Sequence, residues 1–329
     1  MKAMLVDDRK NLVWSDVPDP VLKDDDVLVE IHAAALNRAD LLQRQGKYPS
    51  PPGCPPWMGL EISGIIQAMG PVAAAKSDWR TGDAVCCLLG GGGYAEMAAV
   101  RYDMLMPVPH GLSMAEAAAL PEAFATSYLN LFIEGHLQAG QTAYIPAGAS
   151  GLASVAIPLA KAFGARVITS VLSAEFARSI AHLGADVVIN NAEQSSAEVI
   201  ERLFQAGQSI DVAMDCLGGE PLAQCLPFMS HGGYWILIST LAGVTAEVPL
   251  RALLTRGIHL VGSMLRNRTP EMKAFILSEL VKNVWPKIES GVIRTTIYQV
   301  LPMSQAAAAH ALLETSRNVG KVVLSVRPA

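Results

Sequence analysis

From Met1 to about Met106, apolar and polar positions alternate in short runs separated by turn residues. Residues 27–32 alternate, 62–68 follow a glycine, and 94–100 follow a run of four glycines at 90–93. A period of two marks half-buried strands, so this stretch predicts a compact β-domain. The rhythm changes near Ser113, where an Ala-rich run through Leu120 favours helix and Pro121 interrupts it. Beyond it, apolar runs near 142–147, 166–171, 186–189, 211–214, 234–239 and 258–263 alternate with helix-like intervals. That alternation implies a parallel sheet covered by helices on both faces. A helical stretch at 274–289, strands at 297–301 and 321–326, and an Ala-rich helix around 303–316 complete the chain. The last strands are expected to return to the first domain. The reading is an α/β chain of two domains: residues 1–120 with 265–329, and a doubly wound parallel sheet over 121–264.

Composition supports this picture. A chain of 329 residues exceeds the size at which one hydrophobic core stops growing. With 51% hydrophobic and 17% charged residues the cores are well filled, and a net charge of −5 gives no general attraction to nucleic acid. Apolar runs are all interrupted before membrane-spanning length, and the N-terminus lacks a signal-peptide pattern, so a soluble cytoplasmic protein is expected. Five cysteines, at 54, 86, 87, 216 and 225, fit neither a disulfide framework nor a CxxC metal site. Cys54 stands in a Pro-rich loop without a basic neighbour and reads as inert.

The strand at 142–147 runs into Gly148-Ala149-Ser150-Gly151 and then into an apolar segment ending at Phe163. Small residues between a strand and a helix let the backbone approach a pyrophosphate, and the helix N-terminus favours its charge. Gly148, Ser150, Gly151 and Leu152 are therefore the candidate cofactor contacts. The GxGxxG template is not met, and an ordinary strand-to-helix turn is the other reading. Pro158, inside the following helix pattern, predicts a kink or a delayed helix start.

At the end of the second parallel strand an NAD-type site offers Asp or Glu to the ribose hydroxyls, but this chain reads Thr169-Ser170-Val171-Leu172-Ser173. The missing acid leaves room for a 2′-phosphate. Ser173 is placed to hydrogen-bond it and Arg178 to pair with it, the plain alternative for Arg178 being a solvated helix surface.

The segments ALNRADLLQRQGKYPSPPG (35–53), MGLEISG (58–64), LPEAFATSYLNLF (120–132), AGASG (147–151), GSMLRNR (262–268) and NVGKVVLSV (318–326) resemble the zeta-crystallin-like quinone oxidoreductases of the medium-chain dehydrogenase/reductase superfamily. Among these, the p53-inducible quinone oxidoreductase group is the nearest in pattern. The resemblance implies a GroES-like β-barrel catalytic domain, a Rossmann domain, and NADP(H) bound in the cleft between them. By position it places Asn37, Asp40 and Tyr48 near the active site and Thr126 near the cofactor. It puts Ser239, Ser263, Leu265 and Asn318 along the nicotinamide half. The group commonly shows a Lys near Phe176 and a Tyr near Asn191 beside the adenosine ribose; neither is present here, although Asn191 itself remains a candidate contact.

Zinc-dependent relatives carry a catalytic Cys, a Gly-His-Glu motif and a four-Cys lobe, where this chain has Asn37, Leu60 before Glu61, and no Cys cluster. No metal is expected. Glu61 is expected to pair with an Arg across the cleft in a structural role. Tyr48 reads either as the polar contact to the acceptor or as a packing residue beside Pro49, and Asp40 either orients Asn37 or Arg44 or forms a helix-surface ion pair. The expected activity is NADPH-dependent hydride transfer to a quinone. The nearest alternative is an enal or enone reductase, and a cofactor-binding regulatory or RNA-binding protein is the alternative of another class. A homodimer is expected through the strand at 258–263.

Overall fold

The computed structural model describes residues 1–316 and 318–327. Its strands, in chain order, are β1 (Lys2–Val6), β2 (Leu12–Asp16), β3 (Asp26–Ala35), β4 (Glu61–Met69), β5 (Ala84–Leu88), β6 (Met97–Arg101) and β7 (Leu105–Pro107). There follow β8 (Thr142–Ile145), β9 (Arg166–Val171), β10 (Val187–Asn190), β11 (Ile210–Asp215), β12 (Met229–Leu237) and β13 (His259–Gly262), and finally β14 (Ile297–Pro302) and β15 (Lys321–Ser325). Chain contacts divide the molecule into two compact units. Unit 1 comprises Met1–Ala125, Arg268–Gly291 and Thr295–Ala329; unit 2 comprises Thr126–Asn267 and Val292–Arg294.

Unit 1 is built on one long strand. One edge of β3 pairs with β4; its other edge is shared by β6, against Asp26–Glu30, and by β15, against Ala33–Ala35. The sheet runs β14-β15-β3-β4-β5-β7, antiparallel except for β14 and β15, which run side by side in the same direction. Register shifts in the β3/β4 ladder are bulges of the kind that curl a sheet toward closure. Val27, Val29 and Ile31 are fully buried, as a period of two requires of one face. The helix expected before Pro121 is shorter than the Ala-rich run. Met114–Ala118 starts on a Ser113/Glu116 capping box, and Pro121 opens a new helix, Pro121–Tyr128. Proline has no N–H to satisfy and a preset φ, which suits the first turn.

Unit 2 is a fully parallel sheet in the order β10-β9-β8-β11-β12-β13. The chain moves outward from β8 to β10, then returns to lay β11 beside β8. That reversal opens a switch point outside the carboxyl ends of β8 and β11, where ligands of such sheets bind. Tyr144, Ile168, Ile189, Ala213 and Trp235 fill the core on the helix-covered faces. The strand expected near 234–239 begins earlier, at Met229, and its start includes His231-Gly232-Gly233, opposite a register shift in its ladder with β11. Among the described residues no helix is long and apolar enough to cross a membrane, and none of the five cysteines forms a disulfide.

Candidate functional site

In unit 2 the turn after β8 leads to the helix Ala153–Ala162, which carries Pro158 inside it. Ala147 takes a left-handed backbone, φ 56°, and lets the chain reverse over the sheet edge. Gly148 follows at a point of close approach: its N–H donates to Ser170 O at 2.8 Å. A Cβ there would stand 2.5 Å from Thr169 Oγ1 and 2.9 Å from Ile180 Cδ1, so no larger residue fits without displacing β9. Ser150 Oγ accepts from Ala153 N at 3.1 Å and caps the helix. The first N–H groups of a helix have no intrahelical acceptor, and those of Gly151 and Leu152 find none elsewhere among the described residues. Unsatisfied N–H groups at a helix start, beside small residues, are the arrangement that favours an anion.

The end of β9 continues that surface. Ser173 caps the helix Ala174–Ser179, its hydroxyl accepting from Phe176 N at 3.3 Å, and that hydroxyl proton remains to be donated. Arg178 lies exposed on the same helix, with no carboxylate paired to it among the described residues. Asn191 reaches over from the end of β10: its N–H donates to Val171 O at 2.8 Å, and its Oδ1 accepts from Ser196 Oγ at 2.8 Å. Ser173 and Asn191 thus lie at the carboxyl ends of β9 and β10, with Arg178 in the last turn of the helix that Ser173 caps and no acid following Val171. Ser239 follows β12, and Ser263 follows β13, its N–H on Leu237 O at 2.9 Å. Leu265 is buried in the short turn beyond, and Thr126 O accepts from Asn130 Nδ2 at 2.7 Å. All of these belong to unit 2.

Asn37, Asp40, Tyr48 and Asn318 belong to unit 1. Asn37 caps the helix Arg38–Arg44, and Asp40 returns a hydrogen bond to its backbone. Asp40 is no surface ion-pair residue. It is wholly buried, and it accepts from Asn37 N at 2.8 Å, Gly59 N at 3.1 Å and the Tyr94 hydroxyl at 3.2 Å. Gly59, at φ 103°, permits the approach, since a Cβ there would be 2.6 Å from Gly93 Cα. Burial pushes the Asp40 carboxyl up to about 6, against the pull of these donors and of Lys321. Tyr48 is half-buried, and Asn318 Nδ2 donates to Gly320 O at 2.8 Å.

The expected partner of Glu61 requires correction. It is not an Arg but Lys321 of the same unit, whose Nζ lies 2.7 Å from Glu61 Oε1; neither side chain is more than 5% exposed. The Lys321 ammonium also donates to Leu36 O and Asn37 Oδ1, both at 2.8 Å. Glu61 in turn accepts from Asn37 Nδ2 at 3.0 Å and from the Glu122 N–H at 2.8 Å. All three ammonium protons and both carboxylate oxygens are therefore engaged, as a buried ion pair requires. Glu122 itself is half-buried, and burial together with the Glu61 charge pushes its carboxyl up to about 8. Sequence reasoning gave Lys321, Glu122 and Tyr94 no role. Their only signal was a lone charge or hydroxyl in an otherwise apolar setting.

These residues do not fit a catalytic zinc. The oxygens of Asn37 and Glu61 are already held by an ammonium at 2.7–2.8 Å, which would repel a dication, and Leu60 supplies no donor. Among the described residues no group of three His, Cys, Asp or Glu side chains is gathered as a metal cage.

Comparison with known proteins gives two family matches and several relatives along nearly the whole chain. The model of the alcohol dehydrogenase GroES-like domain matches residues 23–110, and that of zinc-binding dehydrogenases matches residues 183–324. The quinone oxidoreductase of Sus scrofa is 29% identical over 312 residues, covering 94% of this chain and 92% of the pig protein. Among solved structures, a mycobacterial protein complexed with NADPH is 27% identical with a TM-score of 0.85, covering 99% of this chain and 100% of its own. An NAD-dependent alcohol dehydrogenase is 28% identical with a TM-score of 0.84, covering 99% and 100%.

Proposed function

The chain belongs to the medium-chain dehydrogenase/reductase superfamily, with homologues among zeta-crystallin-like quinone oxidoreductases, and on that premise we propose that it is a zinc-independent, NADP(H)-dependent oxidoreductase passing hydride to a quinone-like acceptor. The observation that carries the cofactor half is the end of β9. There Leu172-Ser173 stands where an acid would hydrogen-bond an unphosphorylated ribose, and Arg178 supplies an exposed, unpaired cation. Ser173, Arg178 and Asn191 hold the adenosine ribose and its 2′-phosphate. Gly148 admits the pyrophosphate, and Ser150, Gly151 and Leu152 bind it through the turn and helix start. Thr126 contacts the cofactor, and Ser239, Ser263, Leu265 and Asn318 serve the nicotinamide half.

The chemistry supplied by bound NADPH is hydride donation from its nicotinamide ring. The chain's own groups orient the acceptor and polarise it. Tyr48 contributes a half-buried hydroxyl, and Asn37 a carboxamide fixed by the charges behind it. Asp40, sealed from solvent, acts on Asn37 through its backbone and does not touch substrate. With no metal as Lewis acid, positioning and aligned dipoles lower the barrier. A conjugated, electron-poor acceptor suits this chemistry because its product anion is delocalised.

The place of work is proposed to be the cytoplasm, as a homodimer formed along β13. That strand is the open edge of its sheet. It is flanked by Leu250 and Leu254, 72% and 83% exposed, and carries the exposed Leu260. An apolar, unpaired strand edge is covered in a stable protein.

Fluorescence titration with NADPH and NADH, on the wild type and on Arg178→Ala, tests the assignment. A preference for NADPH that the variant loses supports it; equal affinity for both nucleotides in the wild type would refute the phosphate site.

A further inference from the structure

Buried charge in unit 1 is arranged around one carboxamide. Glu61 and Lys321 are shut away from water, whereas Asn37, which bonds to both, is only half-buried. Of the three, Asn37 alone is partly exposed. Its orientation is dictated by the pair behind it. Nδ2 faces the Glu61 carboxylate at 3.0 Å and Oδ1 faces the Lys321 ammonium at 2.8 Å. A flip of the amide would set NH2 against NH3⁺ and oxygen against carboxylate, two repulsive contacts at low dielectric.

We infer that Lys321 is a positioning residue: a built-in cation, paired with Glu61, that fixes the Asn37 carboxamide for contact with the acceptor. The inference rests on the proposed reading that Asn37 faces the acceptor. The second Nδ2 proton has only Ala35 O, at a long 3.5 Å, and is the donor left for an acceptor carbonyl. Both charges polarise this amide, so the hydrogen bond it offers is stronger than that of a solvated Asn. Lys321 moves no proton itself, because its three donors are all occupied within the fold.

The test compares wild type with Lys321→Met, which leaves Glu61 uncompensated, and with Glu61→Gln/Lys321→Met, which removes both charges at similar volume. Replacing a whole buried pair is often tolerated where breaking it is not, so the double variant is expected to fold with nearly wild-type thermal stability. NADPH affinity should stay within two-fold of wild type, whereas kcat with 1,2-naphthoquinone should remain at least ten-fold down. In [15N]asparagine-labelled protein, the Asn37 side-chain amide, assigned by its loss in Asn37→Asp, should exchange slowly with solvent in wild type and rapidly in the double variant. Recovery of kcat along with stability, or an unchanged Asn37 amide, would overturn the inference. Altered amide exchange in a protein whose wild type turns over no acceptor would instead uphold the positioning role and defeat the proposed function.

Discussion

Gly148 and Thr169 approach so closely that a methyl on the first would fall 2.5 Å from the hydroxyl of the second, which itself donates to Ile145 O at 2.6 Å. The turn proposed to receive a pyrophosphate is therefore tied to the neighbouring strand by contact as well as by hydrogen bonding. Gly148→Ala should cost about 1–3 kcal/mol through overpacking and weaken NADPH binding at least ten-fold. Adding Thr169→Ala should restore part of both. Urea unfolding and nucleotide titration check this, and an unaffected affinity would show that the turn does not contact the cofactor.

At Asp40 three donors converge on one sealed carboxylate. Asp40→Ala strands the Gly59 N–H and the Tyr94 hydroxyl, and should destabilise unit 1 by about 3–5 kcal/mol. Asp40→Asn, which keeps one acceptor oxygen, should cost less than half as much. Denaturant midpoints for the two variants distinguish this from a generic loss of charge.

Glu122 predicts a pH effect whose sign follows from its raised pKa. Its carboxyl holds its proton up to about pH 8 when folded, against 4.5 ordinarily, so the folded state binds the proton more tightly than the unfolded chain. Stability from this group is full below about pH 4.5 and declines as pH rises toward 8. Glu122→Gln removes the decline. Its Tm relative to wild type should rise by about 2 °C or more between pH 5 and pH 8.5, and calorimetry at the two pH values reads it directly.

At the β13 edge, Leu260→Arg on the strand together with Leu254→Arg on the helix before it should convert a dimer to a monomer without changing nucleotide affinity. Light scattering after size exclusion measures this. A wild type that already elutes at the mass of one chain would refute the β13 interface.

How much of this was legible in the sequence depends on the range of the interactions involved. Strand β9 was read residue for residue, because its apolar run is buried on both faces of a parallel sheet. The start of β12 was missed, because His231-Gly232-Gly233 carries turn chemistry and is held in the strand only by its neighbours. Pro121 was read as a stop, though a proline equally begins a helix; the helix that starts on the Ser113 capping box ends at Ala118, before Pro121 opens the next one. Local features of the site, the glycine turn and the missing acid after Val171, needed no tertiary information. The Glu61–Lys321 pair did. Each charge opens a strand of mostly apolar residues, and only the β3–β15 and β3–β4 pairings bring the two strands to either side of Asn37. Asp40 was ambiguous for the same reason, since helical spacing cannot show that its outward face is covered by Gly59 and Tyr94.

The central claim, hydride transfer from NADPH to a quinone-like acceptor, is tested most directly by initial rates of NADPH and NADH oxidation at matched concentrations. The acceptors are 1,2-naphthoquinone and a simple 2-alkenal, with metal chelator present throughout. Saturable turnover of the quinone that is faster with NADPH and insensitive to chelator is the result expected here. Turnover of the alkenal alone would move the substrate to a carbon–carbon double bond, and absence of turnover with either acceptor and either nucleotide would contradict the account.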